Sequence, residues 1–472
     1  MAGRRHMASR VGSALASTLI KAVRVAKREG ERLVQASAAP RFQVLYQLAH
    51  LAPAERVLRR LGPLRAKEMR RFVSRAELQQ HSAPGEFELL QLSTDQLLAC
   101  GPRFAAEAAD LQKPRPAAEF LPGPELYAAV LRRVEVLGGS NAVLVSGQRA
   151  LYDLRDFDQQ RRFRYSDEGL HGYRRDICAV KRQGYGDDVP RAIHLGGNYA
   201  WNYYHFVIEV LPRLRAVDEL NLDPASPLLV DQIHLEIPQH LALLTALNRD
   251  GRPILAMQPA LRYRVGELYY CSFPNLVVPN YHRMSQMRAS DTRLDAAALI
   301  YVRDQLREQL AGPGAPHQPW PKRIYLSRKK ASHRRKFNED DVLTALSALG
   351  VVAVHPEELS IAQQIDLFAA AELLVGGSGA AFTNLLFCQP GCKALVIAKE
   401  RLDVGLFSSL AAVTGVDLLY HAANADADSD TPDPHGEFTI DAHRLAELLA
   451  AWLGAGENSP SAAEFPSAPR SV

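Results

Sequence analysis

The chain has 472 residues, 47% hydrophobic and 23% charged, with a formal net charge of +4. That is long enough for two domains with cores of their own, and ordinary in composition for a soluble protein. No run of about 18 apolar residues occurs, which excludes a membrane-spanning helix. The stretch from Val11 to Ile20 is too short and too rich in small polar residues to span a membrane; it is also a poor secretory signal, although the Ala-rich stretch near Ala36 to Ala39 keeps that alternative open. The five cysteines, Cys100, Cys178, Cys271, Cys388 and Cys392, are scattered and lack zinc-like spacing, which fits a reducing, cytoplasmic environment. The charge is uneven: residues 1–75 hold 17 Lys and Arg against 4 Asp and Glu, so the remainder is net acidic.

Residues 1–30 read as a basic amphipathic helix, with Val11, Leu15, Leu19 and Ala22 on one stripe and Arg10, Lys21, Arg24, Lys27 and Arg28 off it. Such a segment can lie on an anionic membrane surface; a flexible basic tail, or a helix packed on its own domain, fits the residues equally well. Residues 40–75 continue helical and basic. From 82 to 125 the chain is broken by Pro102, Pro114, Pro116, Pro122 and Pro124, and an irregular connection is expected. Strands are expected within 129–160. The triplet Asp156-Phe157-Asp158 there has the spacing to hold a metal, but it reads more readily as a polar strand end.

A strand, Ala192 to Leu195, then meets Gly196-Gly197, and an aromatic-rich helix starts near Trp201. His205 and Glu209 lie one turn apart on its face, so the carboxylate can fix the imidazole tautomer, as a general base requires. A core histidine would satisfy the same spacing. Strands are expected at Leu228–Val230, Leu268–Tyr270 and Leu276–Pro279, with a helix from His240 to Leu247. Residues 311–321 read as a Pro- and Gly-rich loop.

The stretch from Lys322 to Val396 alternates strand and helix. It runs through a strand at Ile324–Leu326, a basic loop, a helix with Val342, Leu343, Leu346 and Leu349 on one face, and a buried strand at Val351–Val354. A helix at Ile361–Ala370, capped by Ser360, follows, then a strand at Leu373–Val375. Gly376-Gly377-Ser378-Gly379-Ala380 comes next, with a helix beginning near Thr383. This is the rhythm of a doubly wound α/β domain, whose chemistry sits at the carboxyl ends of its strands. Arg328, Arg334 and Arg335 of the basic loop and the glycine turn at a helix start both suit a phosphate. A solvated basic face beside a plain tight turn fits the residues equally well. Beyond Val396, Leu406–Leu410 and Val416–Leu419 supply further α/β elements, residues 424–433 form an acidic loop, and His443–Leu453 is a closing helix.

These residues resemble glycosyltransferase family 61, the group that includes bacterial capsular-polysaccharide biosynthesis proteins. The resemblance rests on four runs in order between about Ile193 and Ile397: Asn202, His205, Glu209, Leu211 and Pro212; Ser327, Arg328, Ala331, Arg334, Arg335, Asn338 and Glu339; Leu359, Ser360 and Gln364; and Gly379, Ala380, Thr383, Asn384 and Phe387. The chain departs from the family at Ser378, where a histidine is usual, and at Ala394–Ile397, a strand that often carries a glutamate. Glu209 stands where bacterial relatives usually have aspartate.

The resemblance implies an α/β fold of two Rossmann-like domains facing a cleft, the GT-B arrangement. On that division an acceptor-side domain covers 81–295 and a donor domain 296–456. Composition adds a basic helical extension over 1–80, which the resemblance does not cover, and a Ser-, Pro- and Ala-rich tail over 457–472 that is expected to be disordered. The implied activity is an inverting transfer of a sugar, hexosyl or pentosyl, from a nucleotide sugar to a glycan acceptor in capsular or other surface polysaccharide biosynthesis, with no metal or other cofactor required. His205 would be the base, oriented by Glu209, or would bind the leaving phosphate. Arg328, Arg334 and Arg335 would take the diphosphate with the backbone of Ser378, Gly379 and Ala380; Asn338, Glu339 and Asn384 would position the donor, and Asn202 and Tyr204 the acceptor. The protein would be cytoplasmic, peripheral at the inner face of the membrane through its N-terminus. Nucleic acid is not expected as a partner, because the basic N-terminus lacks interleaved aromatics. The alternative, motivated by Ser378, is an inactive homologue that binds glycan or nucleotide as an assembly partner.

Overall fold

The computed structural model describes residues 68–454 apart from 94–95, 154–161, 164, 175–176, 182, 200, 260, 279, 282–283, 311–318, 330–336 and 425–435. The expected N-terminal helix, Asp156-Phe157-Asp158, the loop after 310, Arg334, Arg335, the acidic loop beyond Asn424 and the C-terminal tail lie wholly or largely outside the described residues. The chain divides into two compact units. The larger, Arg70–Cys178 with Gln183–Val472, holds everything discussed below; of the other only Glu68, Met69 and residues 179–181 are described. Among the described residues no helix is long and apolar enough to cross a membrane.

The larger unit is mixed α/β and contains two main sheets. In the first, the strands that matter are β1 (Leu126–Leu137), β2 (Val189–Leu195), β3 (Leu228–Asp231), β4 (Ile254–Met257) and β5 (Leu261–Cys271). Their order is β4-β3-β2-β5-β1. The first four are parallel, and β1 runs antiparallel to β5. The parallel part therefore has chain order 3-2-1-4, half of a Rossmann arrangement, and its switch point lies between β2 and β5. The expectation of a plain Rossmann-like domain needs this correction: antiparallel β1 continues the sheet on one side.

The second sheet is formed by β6 (Arg323–Leu326), β7 (Val352–Val354), β8 (Leu373–Gly377), β9 (Lys393–Glu400) and β10 (Asp417–Asn424). All are parallel, in the order β7-β6-β8-β9-β10. This is the flavodoxin-like 2-1-3-4-5 order, with the switch point between β6 and β8. Helices α1 (Glu339–Ser347) and α2 (Ile361–Ala370) connect its first three strands. Ser360 caps α2 as expected, in a capping box with Gln363.

Three other expectations fail for local reasons. Residues 82–125 hold short strands, Phe87–Ser93, Gln96–Ala99 and Glu119–Pro122; the prolines fall between them or at a strand end, where no ladder hydrogen bond is lost. Residues 276–278 form no strand: Leu276 makes one bridge, to Arg293, and Leu276 and Val277 fill the core, while Pro279 lies outside the described residues. Val352 is half exposed (49%) because β7 is an edge strand bonded only to β6. The helix behind the glycine turn is a 3-10 helix, Ala380–Phe387, with Phe382 to Phe387 all buried. Eight residues is long for that form; it lies between the helix carrying His205, α2 and the helix Leu406–Thr414, where the slimmer coil suits burial on every side.

The two sheets share one apolar core. It runs from Ile193 and Leu195 of β2 through Phe206 and Val210 to Leu326, Leu374 and Val396. Within it Phe206 is stacked by two buried histidines, His234 at 4.0 Å and His240 at 4.4 Å between ring centroids. Their Nδ1 atoms are 3.2 Å apart, so one donates to the other. Burial, aided at His234 by its neighbour, pulls the pair down from 6.5 to about 3 for His234 and about 4 for His240. Both folded values lie below the unfolded one, so the unfolded chain takes up protons first as pH falls. Stability is therefore complete above about pH 6.5 and drains away toward about pH 4 for His240 and about pH 3 for His234, by on the order of 3 to 5 kcal/mol per histidine. Urea unfolding at a series of pH values is expected to show this loss in the wild type and not in His234→Phe/His240→Phe; equal slopes would refute it.

Candidate active site

On the C-terminal sheet, the chain leaves β6 into Ser327 and Arg328, and leaves β8 into the glycine turn. These are the two sides of the switch point. Ser327 is buried, and its hydroxyl donates to Glu339 Oε1 at 2.6 Å, fastening the loop to the start of α1. Arg328 lies across the turn, its Nη1 donating to the Ser378 carbonyl at 3.0 Å. A Cβ at position 379 would stand 2.5 Å from that nitrogen, so only glycine lets the guanidinium lie there. A Cβ at position 376 would be 3.0 Å from Leu326 Cβ and its carbonyl oxygen, a second close approach between the same two strands. Burial lowers the Arg328 pKa from its ordinary value, opposed by the carboxylates of Glu357 and Glu339.

The other expected donor-side residues fall into different places. The Ser378 N–H donates to Ile397 O at 2.8 Å, so it is not free to cradle an oxygen, and Ser378 has its hydroxyl to offer. Gly379 and Ala380 open the 3-10 helix, where the first amides have no intrahelical acceptor. Asn338 pairs in both directions with the backbone of Ile440: its Nδ2 donates at 2.9 Å and its Oδ1 accepts at 2.8 Å. Glu339 is taken by Ser327. Both hold the frame behind the loop. Arg334 and Arg335 are outside the described residues.

On the N-terminal sheet, β2 ends at Leu195 and Gly196-Gly197-Asn198 lead to the His205 helix. Asn202 is its N-cap, the side chain accepting from Tyr204 N at 2.9 Å. Tyr204 is buried, and its hydroxyl makes no hydrogen bond among the described residues. Neither is placed as an acceptor ligand; the exposed aromatic here is Trp201, at 52%. His205 Nδ1 meets Glu209 Oε2, the pairing expected of residues one turn apart. After His205 the chain widens into a π turn, Phe206–Val210, with Leu211 N bonded back to Phe206 O. Pro212 has no N–H to give Ile208 O, and Asn275 supplies the missing donor at 2.6 Å. Single π turns within helices often mark functional sites.

Three residues that the sequence did not single out fix the loop before this helix. Arg213, fully buried, donates from Nη1 to Gly196 O (3.0 Å) and from Nε to Cys271 O (2.9 Å), with its guanidinium over the Phe273 ring at 4.5 Å. It thus fills the N-terminal switch point with the chain's own cation. Asp231 accepts from Gly197 N at 2.8 Å and from Gly139 N at 2.6 Å; burial pushes its carboxyl up to about 7 despite those two amides. Asn141 accepts from Asn198 N. Nothing in their sequence spacing announces them, since each comes from a separate element.

The two sides meet. The Tyr203 hydroxyl donates to Asn384 Oδ1 at 2.8 Å, the Asn384 amide donates to Gln364 Oε1 at 3.0 Å, and the Gln364 amide donates to Pro356 O at 2.9 Å and Leu359 O at 3.2 Å. Asn384 is therefore spent on joining the His205 helix to the helix behind the glycine turn. Among the described residues no three His, Cys, Asp or Glu side chains cluster to hold a metal.

A family model described as Glycosyltransferase 61 matches residues 203–395, from Tyr203 to Leu395 in β9. The match takes in His205, Glu209, Arg328 and the glycine turn, and it sets the protein in the class of glycosyltransferases. It is this span, and not the whole chain, that is similar to glycosyltransferase family 61. No curated protein is a significant match to the chain.

Tyr203→Phe strips Asn384 of its donor and is expected to cost about 1–3 kcal/mol of stability, as for other buried unsatisfied groups. In chemical denaturation, Tyr203→Phe/Asn384→Leu should cost clearly less than the sum of the single variants; strict additivity would mean that the two side chains do not interact.

Proposed function

We propose that the protein is an inverting glycosyltransferase that moves a sugar from a nucleotide sugar to a glycan acceptor in the assembly of a capsular or other surface polysaccharide, with its two sheets acting as the halves of a GT-B cleft. The observation that carries this reading is the arginine laid against a glycine turn at one switch point, hydrogen-bonded through Asn384 and Tyr203 to the helix of an imidazole–carboxylate pair. The donor belongs to the C-terminal sheet, because Arg213 already occupies the other switch point.

Arg328 and the amides of Gly379 and Ala380 take the diphosphate. His205, with its Nδ1 proton on Glu209, presents Nε2 to the acceptor hydroxyl. The acceptor oxygen attacks the anomeric carbon as Nε2 removes its proton. The bond from that carbon to the diphosphate oxygen breaks on the opposite face, inverting the configuration. Negative charge grows on the leaving oxygen, where a fixed cation and fixed dipoles stabilise it without reorganising. No metal or cofactor is needed in this scheme. The basic residues 1–30 would bring the enzyme to the inner face of the membrane, beside a lipid-linked acceptor.

Transfer from a panel of nucleotide sugars tests the reading. His205→Ala is expected to lower kcat by about 10²- to 10⁴-fold while nucleotide binding persists. Arg328→Ala is expected to weaken nucleotide binding by roughly 10- to 100-fold, the loss of one or two charge-assisted hydrogen bonds. A wild-type protein that transfers no sugar from any donor, or full activity in His205→Ala, would overturn it.

A further inference from the structure

The loop before the His205 helix is held harder than a connection needs. Gly196, Gly197 and Asn198 are each gripped through the backbone by a buried side chain from a different element, Arg213, Asp231 and Asn141. Neither glycine has room for more: a Cβ would stand 2.7 Å from Met257 Cε at position 196, and 2.9 Å from Val210 Cγ2 at position 197.

The residue this clamp delivers is Tyr199. Its φ is 55°, in the left-handed region that a bulky side chain rarely adopts, and such a conformation persists only where its surroundings over-determine it. Its ring lies 5.4 Å from the His205 imidazole, tilted by 32°. Its hydroxyl accepts from Asn280 Nδ2 at 2.6 Å, which anchors the far end of the ring. Tyr204 meets the same imidazole edge-on at 5.7 Å, and Glu209 takes Nδ1.

We propose that Tyr199 is a positioning residue of the active site: the clamp holds it in a strained backbone conformation so that its ring keeps the His205 imidazole in one orientation, Nδ1 on Glu209 and Nε2 left for the substrate. The role of Nε2 rests on the transferase reading above; the orientation of the ring does not.

The test separates the two. Histidine side-chain ¹⁵N spectra of the wild type, with His205 assigned by its disappearance in His205→Gln, should show one neutral tautomer protonated at Nδ1. Tyr199→Phe should keep it. Tyr199→Ala and Tyr199→Gly should both give a mixture of tautomers. Tyr199→Gly, which relieves the left-handed strain, should unfold at a higher temperature than Tyr199→Ala and yet be no better ordered at His205. In transfer assays kcat should fall about tenfold to a hundredfold in both, with the donor KM unchanged. A single Nδ1–H tautomer in folded Tyr199→Gly overturns the proposal, as does wild-type kcat in that variant. Tautomer mixing in a protein whose wild type transfers no sugar upholds the positioning role and sinks the transferase reading alone.

Discussion

The hydrogen bond from Tyr203 to Asn384 is the constraint on which the site depends. Each sheet alone has a switch point, but one is filled by Arg213 and the other holds Arg328 and the glycine turn, while His205 comes from the helix after β2. The bond joins the helix of His205 to the helix behind the glycine turn. It is partly buried, and its buried acceptor is fixed in turn by Gln364, itself held by the backbone carbonyls of Pro356 and Leu359, so that no member of the chain is left unpaired. Fully satisfied networks of this kind specify one arrangement more sharply than apolar packing does. The common apolar core beneath it does the rest, because the sheets do not bury separate cores in this region.

Much of this was legible in the chain. The second sheet could be read strand by strand, because its apolar runs are short, its helices have a single apolar face and Ser360 announces a cap. His205 and Glu209 could be paired by spacing alone, and Arg328 and Gly379 were singled out with the correct side of the sheet. What could not be read depends on distant partners. Asn338, Asn384 and Asn202 are polar residues in a ligand-like pattern, and all three are engaged with the protein itself, to Ile440, Tyr203 and the Tyr204 amide. A side chain's type says that it needs a partner; only the fold says whether the partner is a substrate or a carbonyl. The same holds in reverse for Arg213, which looks like surface charge on a helix and lies wholly buried.

The first sheet was harder for another reason. Its strands pair across long separations, β5 with β1 and β2 with β5, and register among such strands is set by neighbours that the local sequence does not name. The prolines of residues 82–125 mislead in the same way: they mark the ends of short strands as readily as they mark loops.

The contact between Arg328 and the glycine turn has a consequence for how the chain can change. Positions 328 and 379 are far apart in sequence, yet the guanidinium stands where a side chain at 379 would begin. The constraint runs one way: position 379 cannot gain a side chain while the guanidinium lies there. Wherever a descendant of this chain acquires a side chain at 379, the arginine must shrink or swing away. A glycine at 379 is therefore a precondition for an arginine in this pose, and comparing the two positions in pairs would show in which relatives the same contact can form.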